Sequence, residues 1–311
     1  MIKVLIIDKM HECIVPMLEE VNIHVDYLPE LTPEKVHDKI KDYEGLILRS
    51  KMKVNIELMD KAPRLRFIAR AGAGVDQIDE EYLKRRNISL INAPEGNRDA
   101  VGEHALGMLL CLMNKLHIAD REIRSMQWNR EENRGRELHL CTVGIIGYGN
   151  MGREFAKRLK GFGCRVLAFD NEKTGYGDEY AKEVSLDQLR EEADVLSFHI
   201  PLNQFNRYLV DEEYFKKFRK PFYLINLARG EVIPLQIIKK FIESGKILGA
   251  GLDVLENEKL NTLTPEQKEA FDYLIKSDNV LFSPHVGGWT VESYIRISEV
   301  LGKKIRSLFI N

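Results

Sequence analysis

The sequence predicts an α/β chain built from two doubly wound parallel-sheet domains. Three observations carry this. At 311 residues the chain exceeds the size at which one hydrophobic core usually keeps growing. Short β-branched runs alternate with helical patterns from one end to the other, the signature of parallel strands joined by crossover helices. No fixed-period repeat, low-complexity tract or long Pro/Gly linker interrupts the alternation.

The first series of strands falls at residues 4–7, 23–27, 45–49, 66–70 and 89–92, with an amphipathic helix at 32–41 between the second and third. Residues 100–127 read as one long helix, because Val101, Ala105, Met108, Leu109 and Leu112 recur at helical spacing. This helix is expected to bridge the domains. A second series follows at 142–147, 165–170, 195–200, 223–227, 250–254 and 280–283, and a last helix at 292–309. The expected division is residues 1–97 with 286–311 as one domain and 98–285 as the other.

Composition excludes several functions. Hydrophobic residues are 44% and charged residues 30%, which is ordinary for a globular protein. The formal net charge of −2 provides no broad basic field, so neither nucleic acid nor a membrane surface is an expected partner. Cys13, Cys111, Cys141 and Cys164 are scattered without a Cys-x-x-Cys pair, which argues against a metal knuckle and suits a reduced, cytoplasmic chain. The apolar run at 105–113 is about half the length that a membrane span requires. The charge run at 121–136 reads as a solvated loop, with Arg130 as its one candidate for a phosphate contact.

Gly147-Tyr148-Gly149-Asn150-Met151-Gly152 follows the apolar strand and opens a helical stretch. In that context Gly147 allows a tight turn, Gly149 lets backbone approach a pyrophosphate, and Gly152 allows helix and strand to pack closely. Asp170, about 20 residues on, closes the next strand where a carboxylate can bond both ribose hydroxyls. The pattern predicts a dinucleotide site that favours NAD over NADP, although Lys173 nearby partly offsets the acidic charge.

Three further segments concentrate polar residues at strand ends, the edge where ligands bind in open parallel sheets. They are Asn226 to Gly230, Asp253 to Glu258, and Ser283 to Gly288. They offer an Arg, two Glu and a His. A 2-keto acid needs a cation for its carboxylate, a group that exchanges a proton near neutrality, and a carboxylate to support that group. Spacing alone leaves Glu256 and Glu258 both open for the last role.

With these elements the chain resembles the D-isomer-specific 2-hydroxyacid dehydrogenase family, most of all its phosphoglycerate-oxidising members. The resemblance rests on Arg70-Ala71-Gly72-Ala73-Gly74-Val75-Asp76, Asn92-Ala93-Pro94, Glu103-His104-Ala105, the glycine motif, His199-Ile200-Pro201-Leu202 and the three strand-end segments. It implies a flavodoxin-like substrate domain and a Rossmann domain that binds NAD. It implies Arg229, Glu258 and His285 as the catalytic set, with His285 exchanging the hydroxyl proton, and so selects Glu258 over Glu256. For the cofactor it implies Ala73, Asn150, Met151, Asp170, Ile200, Leu227, Ala228, Asp253, Gly287 and Gly288 beside the three motif glycines. For the acid it implies backbone N–H groups at Gly72 and Gly74 and the side chains of Arg49 and Arg70. His199 lines the site without transferring protons, and the other histidines, His104 included, receive no role. No metal is expected.

The expected reaction is oxidation of 3-phospho-D-glycerate to 3-phosphohydroxypyruvate, the start of serine biosynthesis. The alternative within the class is reduction of hydroxypyruvate or glyoxylate, and outside it an NAD-sensing binding protein of the co-repressor kind. A homodimer paired through 100–127 is also implied. Two residues depart from the family pattern: Trp289 stands where a small residue is usual, and Asn206 where Thr is common. The resemblance stops short of the C-terminal regulatory domain of many relatives, so feedback through such a domain is not expected.

Overall fold

The computed structural model describes residues 2–309. Residues 1, 310 and 311, which the expected first domain includes, lie outside the described residues. The chain forms two units: one runs to Arg98 and resumes at Trp289, and the other is Asp99–Gly288.

The first unit opens β1 (Ile2–Ile6), α1 (Ile14–Glu19), β2 (Ile23–Tyr27), α2 (Pro33–Lys39), β3 (Gly45–Leu48), α3 (Ile56–Asp60), β4 (Phe67–Arg70), α4 (Glu80–Arg85) and β5 (Ser89–Asn92). All five strands are parallel in the order β2-β1-β3-β4-β5, the flavodoxin-like arrangement. The sheet is covered on both faces, so its strands are apolar on both sides. Val4 and Ile6 enter one core with Ile47 and Phe67, while Leu5 and Ile7 enter the other with Leu46 and Leu48.

The chain continues through α5 (Pro94–Met113), α6 (Leu116–Arg124), β6 (Thr142–Ile146), α7 (Asn150–Leu159), β7 (Arg165–Phe169), β8 (Lys182–Glu183), α8 (Leu186–Glu192) and β9 (Val195–Phe198). It then forms α9 (Glu212–Lys216), β10 (Phe222–Asn226), α10 (Leu235–Glu243), β11 (Ile247–Leu252), α11 (Pro265–Leu274), β12 (Val280–Phe282) and α12 (Val291–Ser307). The seven strands of the second unit lie parallel in the order β12-β11-β10-β9-β6-β7-β8. Its order reverses between β6 and β9, and such a switch point opens a crevice at the strand ends. Helix α12 returns to the first unit, where Ile297, Leu301 and Ile305 join the core of Val4 and Ile6. Lys304 also bonds Glu95 (2.7 Å) and the carbonyl of Asn92 (2.9 Å).

Two expectations need correction. The long helix expected at 100–127 begins earlier, at Pro94, and is broken after Met113. Lys115 adopts a left-handed backbone (φ 52°), which no α-helix passes through, and the Asn114 side chain bonds the carbonyl of Leu110 at 3.1 Å. The short strand β8 was not foreseen, since two residues carry no detectable period. Among the described residues no helix is long and apolar enough to cross a membrane, and the four cysteines are free thiols.

Candidate functional site

In the second unit the ends of β10, β11 and β12 lie side by side, with Asn226 in register with Leu252 and Leu252 with Phe282. The three polar segments foreseen from sequence therefore leave the sheet at one edge. At the first, Asn226 is buried (1% exposed), bonding Arg229's carbonyl through Nδ2 (3.2 Å) and accepting Ala228's N–H (3.1 Å). These bonds fold Leu227 and Ala228 into the core and bring Arg229 out of it, half-buried, with Nη1 donating to Ala228's carbonyl at 2.7 Å.

At the second and third, Asp253 is the organiser. Its carboxylate is 2% exposed and accepts from Ser283 Oγ (2.6 Å), Val286 N (2.9 Å) and Gly287 N (2.8 Å). Its carbonyl accepts His285 N at 2.8 Å. This grip sustains an uncommon backbone at His285, whose φ of 54° lies in the left-handed region. The His285 ring is exposed, and its Nδ1 meets Glu258 Oε1 at 2.8 Å. A carboxylate only accepts, so Nδ1 carries the proton of that bond and Nε2 of the neutral ring is left with a lone pair. Glu256 is occupied otherwise: it accepts Leu235 N at the start of α10 (3.0 Å) and Gln267 Nε2 (3.0 Å).

His104, to which the sequence assigned no role, completes this cluster. Its Nε2 lies 2.9 Å from Ser283 Oγ and 3.7 Å from Asp253 Oδ1. No local signal pointed to it, because its partners lie 149 and 179 residues away. His199 differs from His285 in kind: Nε2 bonds Ser197 Oγ at 2.8 Å, and burial pushes its pKa down to about 4. Near neutral pH it stays uncharged and is not poised to exchange a proton.

The glycine motif forms a turn into α7. Gly147 has φ 92°, and a Cβ there would press on His199's carbonyl and Ile200; at Gly152 a Cβ would collide with Gly147's carbonyl. Those two glycines let the turn pack closely, while a Cβ at Gly149 would meet only Lys173 Nζ at 3.9 Å, so the backbone is open to approach ahead of the helix N-terminus at Asn150 and Met151, where N–H groups and the helix dipole favour an anion. Asp170 sits beside it, accepting Tyr148 N (2.9 Å) and Glu172 N (3.0 Å). Each of its oxygens retains capacity for a ribose hydroxyl. These residues fit a dinucleotide. Tyr148, between the two glycines, is buried, and its hydroxyl bonds Asp178 Oδ1 at 2.8 Å; burial first and Asp178 second push the phenol's pKa up. Asn206 is buried and bonds the carbonyl of Pro201 (3.0 Å), so this departure from the family pattern packs a loop.

In the first unit, Arg70 to Gly74 leave β4 as a loop pinned from β5. Asn92 Nδ2 donates to Ala73's carbonyl (2.7 Å), and Ala93 N to Gly72's (2.9 Å). Gly72 has φ 139°, and a Cβ there would coincide with the Arg70 guanidinium, which lies across it. Arg49 follows β3; its N–H bonds Asp8 Oδ2 (2.6 Å), and its carbonyl accepts from Gln77 (2.7 Å). Its guanidinium lies 3.5 Å from the centroid of the Trp289 ring.

Residues 106–287 match the family model for the D-isomer specific 2-hydroxyacid dehydrogenase, NAD binding domain. A D-3-phosphoglycerate dehydrogenase of Methanocaldococcus jannaschii is 31% identical over 99% of this chain, which spans 57% of that protein's length. A hydroxypyruvate reductase of Thermotoga maritima is 33% identical over 92% of this chain and 90% of its own. Among solved structures, a D-lactate dehydrogenase of Aquifex aeolicus complexed with NAD and lactic acid superposes with a TM-score of 0.83 at 28% identity, covering 98% of this chain and 95% of that one. The chain thus belongs to the D-isomer specific 2-hydroxyacid dehydrogenases, a family of oxidoreductases acting on CH–OH groups, and residues 106–287 are that family's domain for its cofactor, NAD.

Proposed function

We propose that the chain oxidises 3-phospho-D-glycerate with NAD, feeding serine biosynthesis. The observation that carries the chemistry is the 2.8 Å bond from His285 Nδ1 to Glu258. It directs the unprotonated Nε2 outward as a base, and the Glu258 carboxylate steadies the imidazolium that forms when Nε2 takes the hydroxyl proton. Arg229 supplies the guanidinium that holds the carboxylate and the developing carbonyl oxygen. Bound NAD supplies the two-electron acceptor; the turn at Gly147, Gly149, Asn150, Met151 and Gly152 holds its pyrophosphate, Asp170 its ribose, and Ile200, Leu227, Ala228, Asp253, Gly287, Gly288 and Ala73 flank the rest. Gly72 and Gly74 offer N–H groups to the acid, and Arg49 and Arg70 add the positive charge that a phosphorylated acid requires.

Reduction of hydroxypyruvate or glyoxylate is the second reading, favoured by the likeness to the Thermotoga maritima hydroxypyruvate reductase over nearly the whole of both chains. A sensing protein without turnover has no use for a proton-exchanging His–Glu pair. Steady-state kcat/KM for 3-phosphoglycerate against D-glycerate, D-lactate and, in reverse, glyoxylate decides among these; no advantage for the phosphorylated acid moves the assignment to the reductases. His285→Ala is expected to lower kcat by about 10²- to 10⁴-fold with NAD affinity retained. Turnover near the parent level refutes the acid/base role. A homodimer is supported by the exposed Leu116, Ile123, Met126 and Trp128 on and after α6, and a reducing cytoplasm by the free thiols.

A further inference from the structure

The geometry points to Trp289 as a specificity-determining residue: it holds the Arg49 guanidinium flat so that its in-plane N–H groups receive a second anionic group of the substrate. This rests on the proposed 2-hydroxyacid dehydrogenase chemistry and asks which acids that chemistry serves.

Arg49 is fixed at three points. Asp8 and Gln77 hold its backbone, and the indole holds its side chain, with the guanidinium carbon 3.5 Å from the ring centroid. That distance is the face-to-face contact of two planar groups. All the guanidinium donors lie in its own plane, so stacking uses a face and leaves every N–H directed outward. Trp289 is braced in turn by Tyr294, edge-on at 5.3 Å, and Tyr294 by His11 at 6.0 Å. The fork is therefore positioned before any ligand arrives.

Its charge makes no close ion pair among the described residues, Asp8 acting on it only from beyond contact. Among the described residues no carboxylate pairs with the Arg49 guanidinium, and no hydrogen bond from it is made within the chain. The side chain is nonetheless half-buried, and burial lowers its pKa against the opposing influence of Asp8 and Tyr294. A partly desolvated cation without a directly paired anion is costly, and an incoming oxyanion, phosphate or carboxylate, reduces that cost. Arg49 follows β3 and the Arg70–Gly74 loop follows β4, strands that pair Leu48 with Arg70, so the fork stands at the same sheet edge as the Gly72 and Gly74 N–H groups proposed for the carboxylate. The stack thus belongs to the end of the substrate that the 2-hydroxy carboxylate does not occupy.

The test compares the parent with Trp289→Ala, Trp289→Phe and Arg49→Lys, by NADH-linked reduction of phosphohydroxypyruvate, of the dicarboxylic acid oxaloacetate, and of the singly charged hydroxypyruvate and glyoxylate. In Trp289→Ala the ratio of kcat/KM for the preferred doubly charged acid to that for hydroxypyruvate falls about tenfold, the order expected for a partly desolvated cation–π contact. The fall lies in KM. Trp289→Phe recovers most of the ratio, and Arg49→Lys, which keeps the charge but loses the planar fork, does not. A ratio unchanged in Trp289→Ala overturns the inference while leaving the enzyme assignment intact, as does a parent that prefers no doubly charged acid. A parent that prefers oxaloacetate overturns the phosphoglycerate assignment and leaves the role of Trp289 standing. No turnover on any 2-oxo acid overturns both.

Discussion

Replacing Asp253 by Asn changes one oxygen into an amide nitrogen and keeps the shape of a residue that is 2% exposed. Oδ1 serves Ser283 Oγ and Val286 N, and Oδ2 serves Gly287 N. Whichever way the amide is turned, its NH₂ meets a backbone N–H that can only donate. Ser283 can reverse its hydroxyl; the two backbone groups cannot. One buried donor is left opposed, at a cost of about 1–3 kcal/mol, and the charge assistance of the remaining bonds is lost as well. For a unit of this size each kcal/mol lowers the melting temperature by about 2–4 °C. The same bonds keep His285 in its left-handed backbone, so relaxation of the loop moves the imidazole. A shift of 1 Å is enough to cost about 10²-fold in rate. Differential scanning calorimetry and single-turnover kinetics on one preparation test both effects. Asp253→Asn with a melting temperature within 1 °C of the parent by the first method and a rate within about threefold by the second would refute the account of Asp253 as the organiser of the loop.

Two further expectations concern the neighbouring groups. His199 has its folded pKa depressed to about 4 from the ordinary 6.5, so the unfolded chain binds its proton first as pH falls. The stability it confers is complete above about pH 6.5 and is lost progressively down to about pH 4, by no more than about 3 kcal/mol; melting curves of His199→Gln should flatten in that window, and an unchanged pH dependence contradicts the reading. Asp170→Ala removes the carboxylate beside the glycine turn and leaves Lys173, whose Nζ lies 3.3 Å from Tyr148's carbonyl. The ratio of kcat/KM for NAD over NADP should fall about tenfold or more, and a ratio equal to the parent's removes Asp170 from ribose recognition.

The two parallel sheets were legible because their strands carry the pattern in themselves. β1 is apolar at successive positions, since Val4 and Ile6 face one core and Leu5 and Ile7 the other, and the glycine turn is recognisable because strand, turn and helix are contiguous. The break at Lys115 was not legible, for the apolar spacing runs through it and the left-handed residue is a lysine with no conformational signature. Spacing did not show the division of labour between Glu256 and Glu258 either, and only the family resemblance selected Glu258. Both stand at the same strand end, and what separates them is distant: Leu235 and Gln267 engage one, His285 the other. His104 was overlooked on the same grounds. A helical histidine shows nothing of a serine 179 residues away, and only the fold supplies that neighbour. Trp289 was visible as an oddity of the sequence, but its partner Arg49 lies 240 positions earlier on another element.

The return of α12 to the first unit has a consequence for biogenesis. Val4, Ile6, Ile47 and Phe67 are made early, yet the residues that cover them, Ile297, Leu301 and Ile305, are made after the entire intervening unit. Translated at about 5–20 residues per second, the early sheet spends on the order of 10–60 s with one oily face covered only in part, by Ile14 and Leu18 of α1. The later-born unit is therefore expected to acquire protease resistance before the earlier one, and nascent chains stalled with residue 290 just outside the ribosome should be clipped within residues 2–98. Resistance of that segment at the stall would show that the sheet closes without its last helix.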